Sequence, residues 1–248
     1  MIILDTNIWY RISEGSIPRH SFKEDEVCLT GMFLLEIMTT NRWNFARTEM
    51  IKVLELILDM KPHFIQFLHY EYIAIKIMGF DPNQFGFIDY GLIEDSLIGR
   101  INQKDRDLFI ETRKEFTEDF VENYNKRTSE ILEDFELLQK MKNYSEFIPL
   151  LANDVFSEVE NISKVKREDV DRNYIDREGV NLDLYLRTRY IYYFKTIFEG
   201  IKPKPNDAFD LLNLAYVGVN DLYWTRDKKK WINRYMQDPL IEKFLYIE

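Results

Sequence analysis

The chain begins with MIILDTNIWY at residues 1–10, where a short apolar run meets an acid. Residues 2–4 are typical of a buried strand, and Asp5 follows them directly. One interpretation is that Asp5 only ends the strand, since polar residues often do so. The other is that the strand belongs to a parallel sheet and presents the carboxylate at the edge where such sheets bind ligands. The second interpretation requires further acids at comparable positions.

Other stretches near both ends of the chain also resemble strands. Residues 27–30 (VCLT) predict a second strand, residues 221–225 (DLYWT) a third, and residues 243–248 (KFLYIE) a short one after it. Apolar residues recur at helical spacing from Met32 onward, so a helix that carries Glu36 is expected to begin at Thr30 or Gly31. Strands and helices that alternate at both ends predict an α/β fold with one parallel sheet.

The middle of the chain has a different pattern. Residues 49–60 (EMIKVLELILDM) form one apolar stripe that ends before Pro62, and similar amphipathic patterns continue to about residue 200. The segment KPKPND at 202–207 interrupts them and leads into the apolar helix DAFDLLNLAYVGV. We therefore expect an α/β core made of residues 1–45 and 201–248, with a large all-helical insertion at 46–200 packed on it.

Composition narrows the class of protein. Of the 248 residues, 46% are hydrophobic and 31% are charged, which is typical of a globular protein with a substantial core. The single cysteine, Cys28, cannot form an intramolecular disulfide, and neither a secretion signal nor a membrane-spanning stretch is evident. These features favour a cytoplasmic protein without membrane contacts. The net charge of −10 argues against a broad basic face, but it is compatible with a carboxylate site for a cation.

The ligand-binding interpretation of Asp5 requires further acids, and the sequence has them at the edges of apolar elements. Asp227 follows the third predicted strand, Glu36 lies on an apolar helix, and Asp207 or Asp210 begins a later helix. Carboxylates without histidine or cysteine suit Mg²⁺ or Mn²⁺, which assist in-line displacement at phosphorus. Taken singly, Asp207 and Asp210 are also good helix caps. Glu36 is harder to explain structurally, because burying an unpaired carboxylate costs several kcal/mol.

Four segments, in order, resemble the signature segments of PIN-domain ribonucleases, the family that includes the VapC-type toxin nucleases. They are IILDTNI (2–8), LTGMFLLEI (29–37), NDAFDLLNLAYV (206–217) and LYWTRDKKKW (222–231). The resemblance covers the two ends of the chain, while the helical middle resembles no family. It implies a PIN-like three-layer α/β fold with a central parallel sheet. It also implies a metal-dependent endoribonuclease that hydrolyses phosphodiester bonds with Mg²⁺ or Mn²⁺.

The resemblance also implies roles for individual residues. Asp5, Glu36 and Asp227 match the catalytic, metal-binding acids. Asp210 is favoured as the remaining acid for its spacing to the TRD segment, with Asp207 as its neighbour or substitute. Hydrogen-bonding groups that orient the acids would be Thr6, Asn7, Asn213 and Thr225. Apart from the resemblance, the run RDKKK at 226–230 is either a solvated helix start or, beside a carboxylate site, the place where a phosphate backbone would lie. In the second case the nucleic-acid-binding residues are Arg226, Lys228, Lys229 and Lys230.

The expected substrate is RNA or another single-stranded nucleic acid, and a protein inhibitor or antitoxin is a possible partner. Oligomeric state is not predicted. The alternative is a catalytically silent PIN-like module that binds nucleic acid or protein. A phosphatase of the haloacid-dehalogenase type also begins with an apolar strand and an aspartate, but it needs a second aspartate two residues later. Asn7 occupies that position here, so this assignment is weak.

Overall fold

The protein has an α/β fold in which a parallel sheet is accompanied by many helices. The computed structural model describes residues 1–86, 88, 90–163, 182–227 and 238–246. The chain divides into two compact units. The sheet unit comprises Met1–Leu68, Gly86–Glu115 and Asn220–Glu248. The helical unit comprises His69–Phe85 and Phe116–Val219.

The elements of the described residues are as follows. The strands are β1 (Ile2–Leu4), β2 (Val27–Thr30), β3 (His63–Ile65) and β4 (Leu222–Trp224). The first helices are α1 (Thr6–Ser13), α2 (Gly31–Thr39), α3 (Arg47–Met60), α4 (His69–Lys76), α5 (Gly91–Leu97) and α6 (Gln103–Glu133). The later helices are α7 (Phe135–Met141), α8 (Tyr144–Ser163), α9 (Asp183–Glu199), α10 (Asp207–Leu212) and α11 (Pro239–Glu242). Short 3₁₀ helices occupy Arg19–Ser21, Glu24–Glu26, Asn41–Asn44, Pro82–Gln84 and Asn213–Tyr216.

The sheet has the strand order β3-β2-β1-β4, and every pairing among these strands is parallel. Ile2 pairs with Val27 on one side and with Leu222 on the other, so β1 is central. Leu4 pairs with Trp224 at the carboxyl end. The residues after β1 and after β4 therefore emerge side by side at one edge of the sheet, as the ligand-binding interpretation requires.

A continuous apolar core fixes this sheet within its unit. Trp9 of α1 is fully buried and packs against Phe33 of α2, with ring centroids 5.4 Å apart. Trp224 of β4 packs edge-on against Phe22, with centroids 5.6 Å apart. Each large side chain removed from water contributes about 1.5–3 kcal/mol, so these contacts hold the first helices against the strands.

Several predicted elements are confirmed, and others were not foreseen. The strands β1, β2 and β4 and the start of α2 lie where the sequence predicts them. The short helix α1 and the strand β3 were not predicted. Of the expected strand at 243–248, the described part contributes a single parallel bridge between Leu245 and Tyr223. The stretch KKKWINRYM at 228–236, whose pattern also predicts a helix, lies outside the described residues.

The compact units also divide the chain differently from the expected core and insertion. Residues 46–68 and 86–115, expected in the insertion, belong to the sheet unit. Residues 201–219, expected in the core, belong to the helical unit. The strand β3 accounts for part of this difference, because it adds an edge strand to the sheet beside β2.

The helical unit is held together by a buried polar network as well as by apolar contacts. Arg189 of α9 is 6% exposed and donates from Nη1 to the Tyr185 hydroxyl at 3.0 Å. The same Nη1 lies 3.5 Å from the Glu158 carboxylate of α8. Glu158 also accepts from the Tyr70 hydroxyl of α4 at 3.1 Å. This network joins α4, α8 and α9 around one buried cation.

His69, at the start of α4, makes the stability of this unit depend on pH. Burial, with a smaller effect from the Arg189 charge, lowers the pKa of His69 from 6.5 to about 3. His69 therefore becomes protonated below pH 6.5 in the unfolded chain, but only near pH 3 in the folded chain. Stability is thus lost as the pH falls through this window, by about 1.4 kcal/mol per unit.

We expect the free energy of unfolding to fall by about 2 kcal/mol between pH 7 and pH 5 through His69 alone. Urea titrations at the two pH values measure this difference, and His69→Gln should remove it. An unchanged pH dependence in His69→Gln would show that this histidine is not the source.

Candidate metal centre

Asp5 occupies the junction between the central strand and the first helix. It is the N-cap of α1, and its Oδ1 accepts a hydrogen bond from the Asn7 backbone N–H at 3.3 Å. Its other oxygen, Oδ2, accepts from the Thr225 hydroxyl at 2.6 Å. The residue is only 4% exposed. Asp5 thus ends the strand and caps the helix, and its carboxylate is directed to Thr225 at the sheet edge.

Thr225 connects Asp5 with the segment after β4. Because β4 is paired with β1, the Asp5 backbone N–H donates to the Trp224 carbonyl at 2.9 Å. The Thr225 hydroxyl oxygen also accepts from the Asp227 backbone N–H at 3.2 Å. One threonine therefore orients the Asp5 carboxylate and fixes the turn that carries Asp227.

Thr6 makes the corresponding connection to α2. Its hydroxyl donates to Oε2 of Glu36 at 2.5 Å. Since Thr6 is the first residue of α1, this hydrogen bond ties the Glu36 side chain to the start of that helix. The chain of contacts runs from Glu36 through Thr6 and Asp5 to Thr225 and Asp227, and all five residues belong to the sheet unit.

The position of Glu36 depends on how α2 is anchored at its start. The Thr30 side chain caps the helix by accepting from the Phe33 backbone N–H at 3.1 Å. Gly31 lies against the chain after β3, where an added Cβ would come within 2.6 Å of the Phe67 carbonyl oxygen. A glycine is therefore required for this close approach of two backbones.

Side chains from elsewhere in the unit anchor the other end of α2. The last carbonyls of a helix have no partner within the helix. The Trp43 indole N–H donates to the Ile37 carbonyl at 2.9 Å, and Arg113 Nη1 donates to the Glu36 carbonyl at 3.1 Å. Arg113 lies on α6, and its Nη2 is 3.9 Å from Oε1 of Glu36.

The acids of the sheet unit provide the donor type that a hard cation prefers. Asp5, Glu36 and Asp227 offer carboxylate oxygens only, which suits Mg²⁺ or Mn²⁺. Within the described parts of the chain, no three histidine, cysteine, aspartate or glutamate side chains form a group that could hold a metal ion. Asp5 and Asp227 follow paired parallel strands, and threonine hydroxyls donate to the carboxylates of Asp5 and Glu36.

The remaining predicted acids lie in the helical unit. Asp207, 7% exposed, accepts hydrogen bonds from the Tyr192 hydroxyl and, at 3.0 Å, from the Lys204 backbone N–H. Its carboxylate thus joins α9 to the start of α10. Asp210 is half-buried on α10, and Asn213 is buried in the 3₁₀ helix that follows. The participation of these three residues in a metal site stays a prediction.

The other predicted site residues are only partly described. Asn7 is exposed and contributes its backbone N–H to Asp5. Arg226 is half-buried between Thr225 and Asp227. Lys228, Lys229 and Lys230 lie outside the described residues. Arg113 was not predicted, because it is one of many charged residues in a long helical stretch and nothing in its surrounding sequence distinguishes it.

No protein-family model matches this chain, and neither does any curated protein or solved structure. Across the described segments, none of the helices combines the length and the apolar character needed to cross a membrane. The geometry of the linked acids is therefore the main structural basis for a functional proposal.

Proposed function

We propose that the protein is a divalent-metal-dependent endoribonuclease with a PIN-like three-layer fold. The observation that carries the proposal is a pair of threonine contacts: the hydroxyl of Thr6, the residue after Asp5, donates to the Glu36 carboxylate, and the Thr225 hydroxyl donates to the Asp5 carboxylate and accepts from the Asp227 backbone N–H. The acids that resemble the family's catalytic residues come from separate segments of the sequence. Asp5 and Asp227 follow the neighbouring parallel strands β1 and β4, and Glu36 lies on α2 of the same unit.

Asp5, Glu36 and Asp227 of the sheet unit would hold Mg²⁺ or Mn²⁺. Such an ion makes water more acidic and stabilises negative charge that develops at phosphorus. The chain's own contribution is orientation. Thr225 and Thr6 each donate to one oxygen of an acid, which fixes the carboxylates before substrate binds. We assign Arg226, on the same turn, to a contact with the phosphate backbone.

The proposed reaction is hydrolysis of a phosphodiester. The oxygen of a water molecule forms a bond to phosphorus while the bond to the 3′-oxygen breaks. One proton of that water ends on the leaving 3′-oxygen. The products therefore carry a 5′-phosphate and a 3′-hydroxyl. A nuclease that uses the RNA 2′-hydroxyl as its nucleophile would leave a 2′,3′-cyclic phosphate instead.

We expect the purified protein to cleave single-stranded RNA in the presence of Mn²⁺ or Mg²⁺ and to be inactive in EDTA. A mixed pool of RNA and single-stranded DNA, followed by mapping of cleavage sites and end groups, tests both substrate and chemistry. Ends with 5′-phosphate support the proposal. The absence of cleavage with either ion would favour the silent binding module, and cleavage that persists in EDTA would contradict the metal-dependent mechanism.

A protein inhibitor that covers the acids remains part of the proposal as a possible partner. Copurification of the full chain with such a partner, followed by recovery of RNA cleavage after its removal, would identify it.

A further inference from the structure

Arg113 lies in a part of the chain that the sequence assigns to the helical insertion, yet its side chain meets the helix that carries Glu36. The residue belongs to the sheet unit, on the part of α6 before Phe116. Its Nη1 donates to the Glu36 backbone carbonyl at 3.1 Å. Its Nη2 lies 3.9 Å from the Glu36 carboxylate oxygen Oε1. The Arg113 guanidinium thus contacts both the backbone carbonyl and the side-chain carboxylate of Glu36.

Glu36 is constrained from two directions as a result. Thr6 donates to Oε2 at 2.5 Å, while Arg113 faces Oε1. The side chains of Arg113 and Glu36 are 17% and 20% exposed, so solvent screens their attraction only in part. The planar guanidinium is suited to contacting two acceptors at once, whereas a lysine ammonium has no such fork.

The contact with the backbone carbonyl also explains why the arginine is in this place. The Glu36 carbonyl is one of the last four of α2, and a cation near a helix C-terminus is favoured by the helix dipole. The Trp43 indole N–H donates to the neighbouring Ile37 carbonyl, a contact with the helix backbone. The two side chains therefore share a capping role, and the carboxylate contact is what distinguishes Arg113.

We propose that Arg113 is a positioning residue that holds the Glu36 carboxylate in the orientation needed to bind a divalent cation. The inference rests on the proposed nuclease function, because it assigns Glu36 to the metal. A residue from the range 86–115, which the sequence assigns to the insertion, would then support the proposed metal site. Residues that orient metal ligands typically change metal affinity or activity by about 10–100-fold when they are removed.

Arg113 could instead compete with the metal ion for the Glu36 carboxylate. The two roles predict opposite changes in metal affinity when Arg113 is replaced. A competing cation would weaken metal binding, so its removal would tighten it. A positioning residue pre-orients its ligand, so its removal loosens metal binding. Removing a residue that only stabilises the helix end would lower the melting temperature and leave the metal affinity of the folded protein unchanged.

The experiment measures the Mn²⁺ dissociation constant of the full chain by titration calorimetry, without RNA. We expect Arg113→Met to raise this constant about tenfold. Arg113→Lys, which retains the charge but can address only one acceptor, should raise it less. If Arg113→Met does not fold, Arg113→Lys carries the test with an expected increase of a few-fold. Unchanged or tighter Mn²⁺ binding in the folded variant would overturn the proposal.

Two controls isolate the role of the carboxylate contact. Trp43→Phe removes the indole N–H from the same end of α2, and we expect a lower melting temperature with an unchanged Mn²⁺ dissociation constant. Arg100→Met removes an exposed arginine of the same unit that pairs with Asp95, and it should change neither quantity.

If the wild-type protein itself binds no Mn²⁺ and cleaves no RNA, the proposed function fails. If wild type does both and Arg113→Met binds Mn²⁺ equally well, only the role of Arg113 fails.

Discussion

Replacing Asp5 with asparagine should reduce metal-dependent RNA cleavage by more than about 100-fold and leave the protein folded. Loss of a carboxylate that contacts the ion is expected to exceed the 10–100-fold effects of residues that merely orient ligands. Asparagine caps helices as well as aspartate does, so its side-chain oxygen can still accept from the Asn7 backbone N–H. The substitution removes the charge and keeps this cap, while the amide NH2 that replaces Oδ2 reverses the hydrogen bond with Thr225, whose hydroxyl oxygen then accepts.

Initial cleavage rates with saturating Mn²⁺ and a labelled single-stranded RNA measure this effect. Asp59→Asn is the matched control, because Asp59 is an exposed aspartate of the same unit that pairs with Arg19 at the surface. Its loss should cost at most about 1 kcal/mol of stability and no activity. Wild-type cleavage by folded Asp5→Asn would remove Asp5 from the mechanism, and with it the family resemblance as a guide to the site.

Gly31→Ala should destabilise the protein by about 1–3 kcal/mol, although alanine is the better helix former. An added Cβ would approach the Phe67 carbonyl oxygen to 2.6 Å and its carbonyl carbon to 3.0 Å. Both atoms are backbone, so relief requires movement of α2 or of the segment after β3. The cost of that movement is expected to exceed the gain in helix propensity of about 1 kcal/mol.

Urea denaturation of the wild type and the variant measures this difference. Gly86→Ala serves as the control, because a Cβ at Gly86 meets nothing within 4 Å. That substitution should be neutral or slightly stabilising, since it reduces the freedom of the unfolded chain. Equal stabilities for wild type and Gly31→Ala would mean that α2 is free to shift at its start, contrary to the anchoring described above.

The sheet edge could be predicted from the sequence because β1 is a continuous apolar run followed directly by Asp5, and β4 is a short apolar run with Asp227 three residues after it. Ile2–Leu4 and Val27–Thr30 are buried on both faces, as strands within a parallel sheet are, and their boundaries follow from composition alone. Glu36 could be singled out because a carboxylate on an apolar helix needs a compensating contact. The hydrogen bond from Thr6 supplies one such contact.

The parts that were not predicted depend on tertiary contacts. The strand β3 has three residues and a partly exposed pattern, so its pairing with β2, and not its composition, makes it a strand. The helix α1 begins directly after Asp5 with no intervening turn residues, which concealed its start. The contact of Arg113 with Glu36 spans 77 residues and leaves no pattern that spacing along the chain could reveal.

The pairing of β1 with β4 has a consequence for how the protein is made. The hydroxyl that orients Asp5 belongs to a residue 220 positions later in the chain. At synthesis rates of about 5–20 residues per second, that residue follows on the order of ten seconds or more after Asp5. Until then β1 lacks one neighbour, and the acids cannot be assembled. A nascent chain would thus emerge beside ribosomal and messenger RNA with its proposed nuclease centre incomplete.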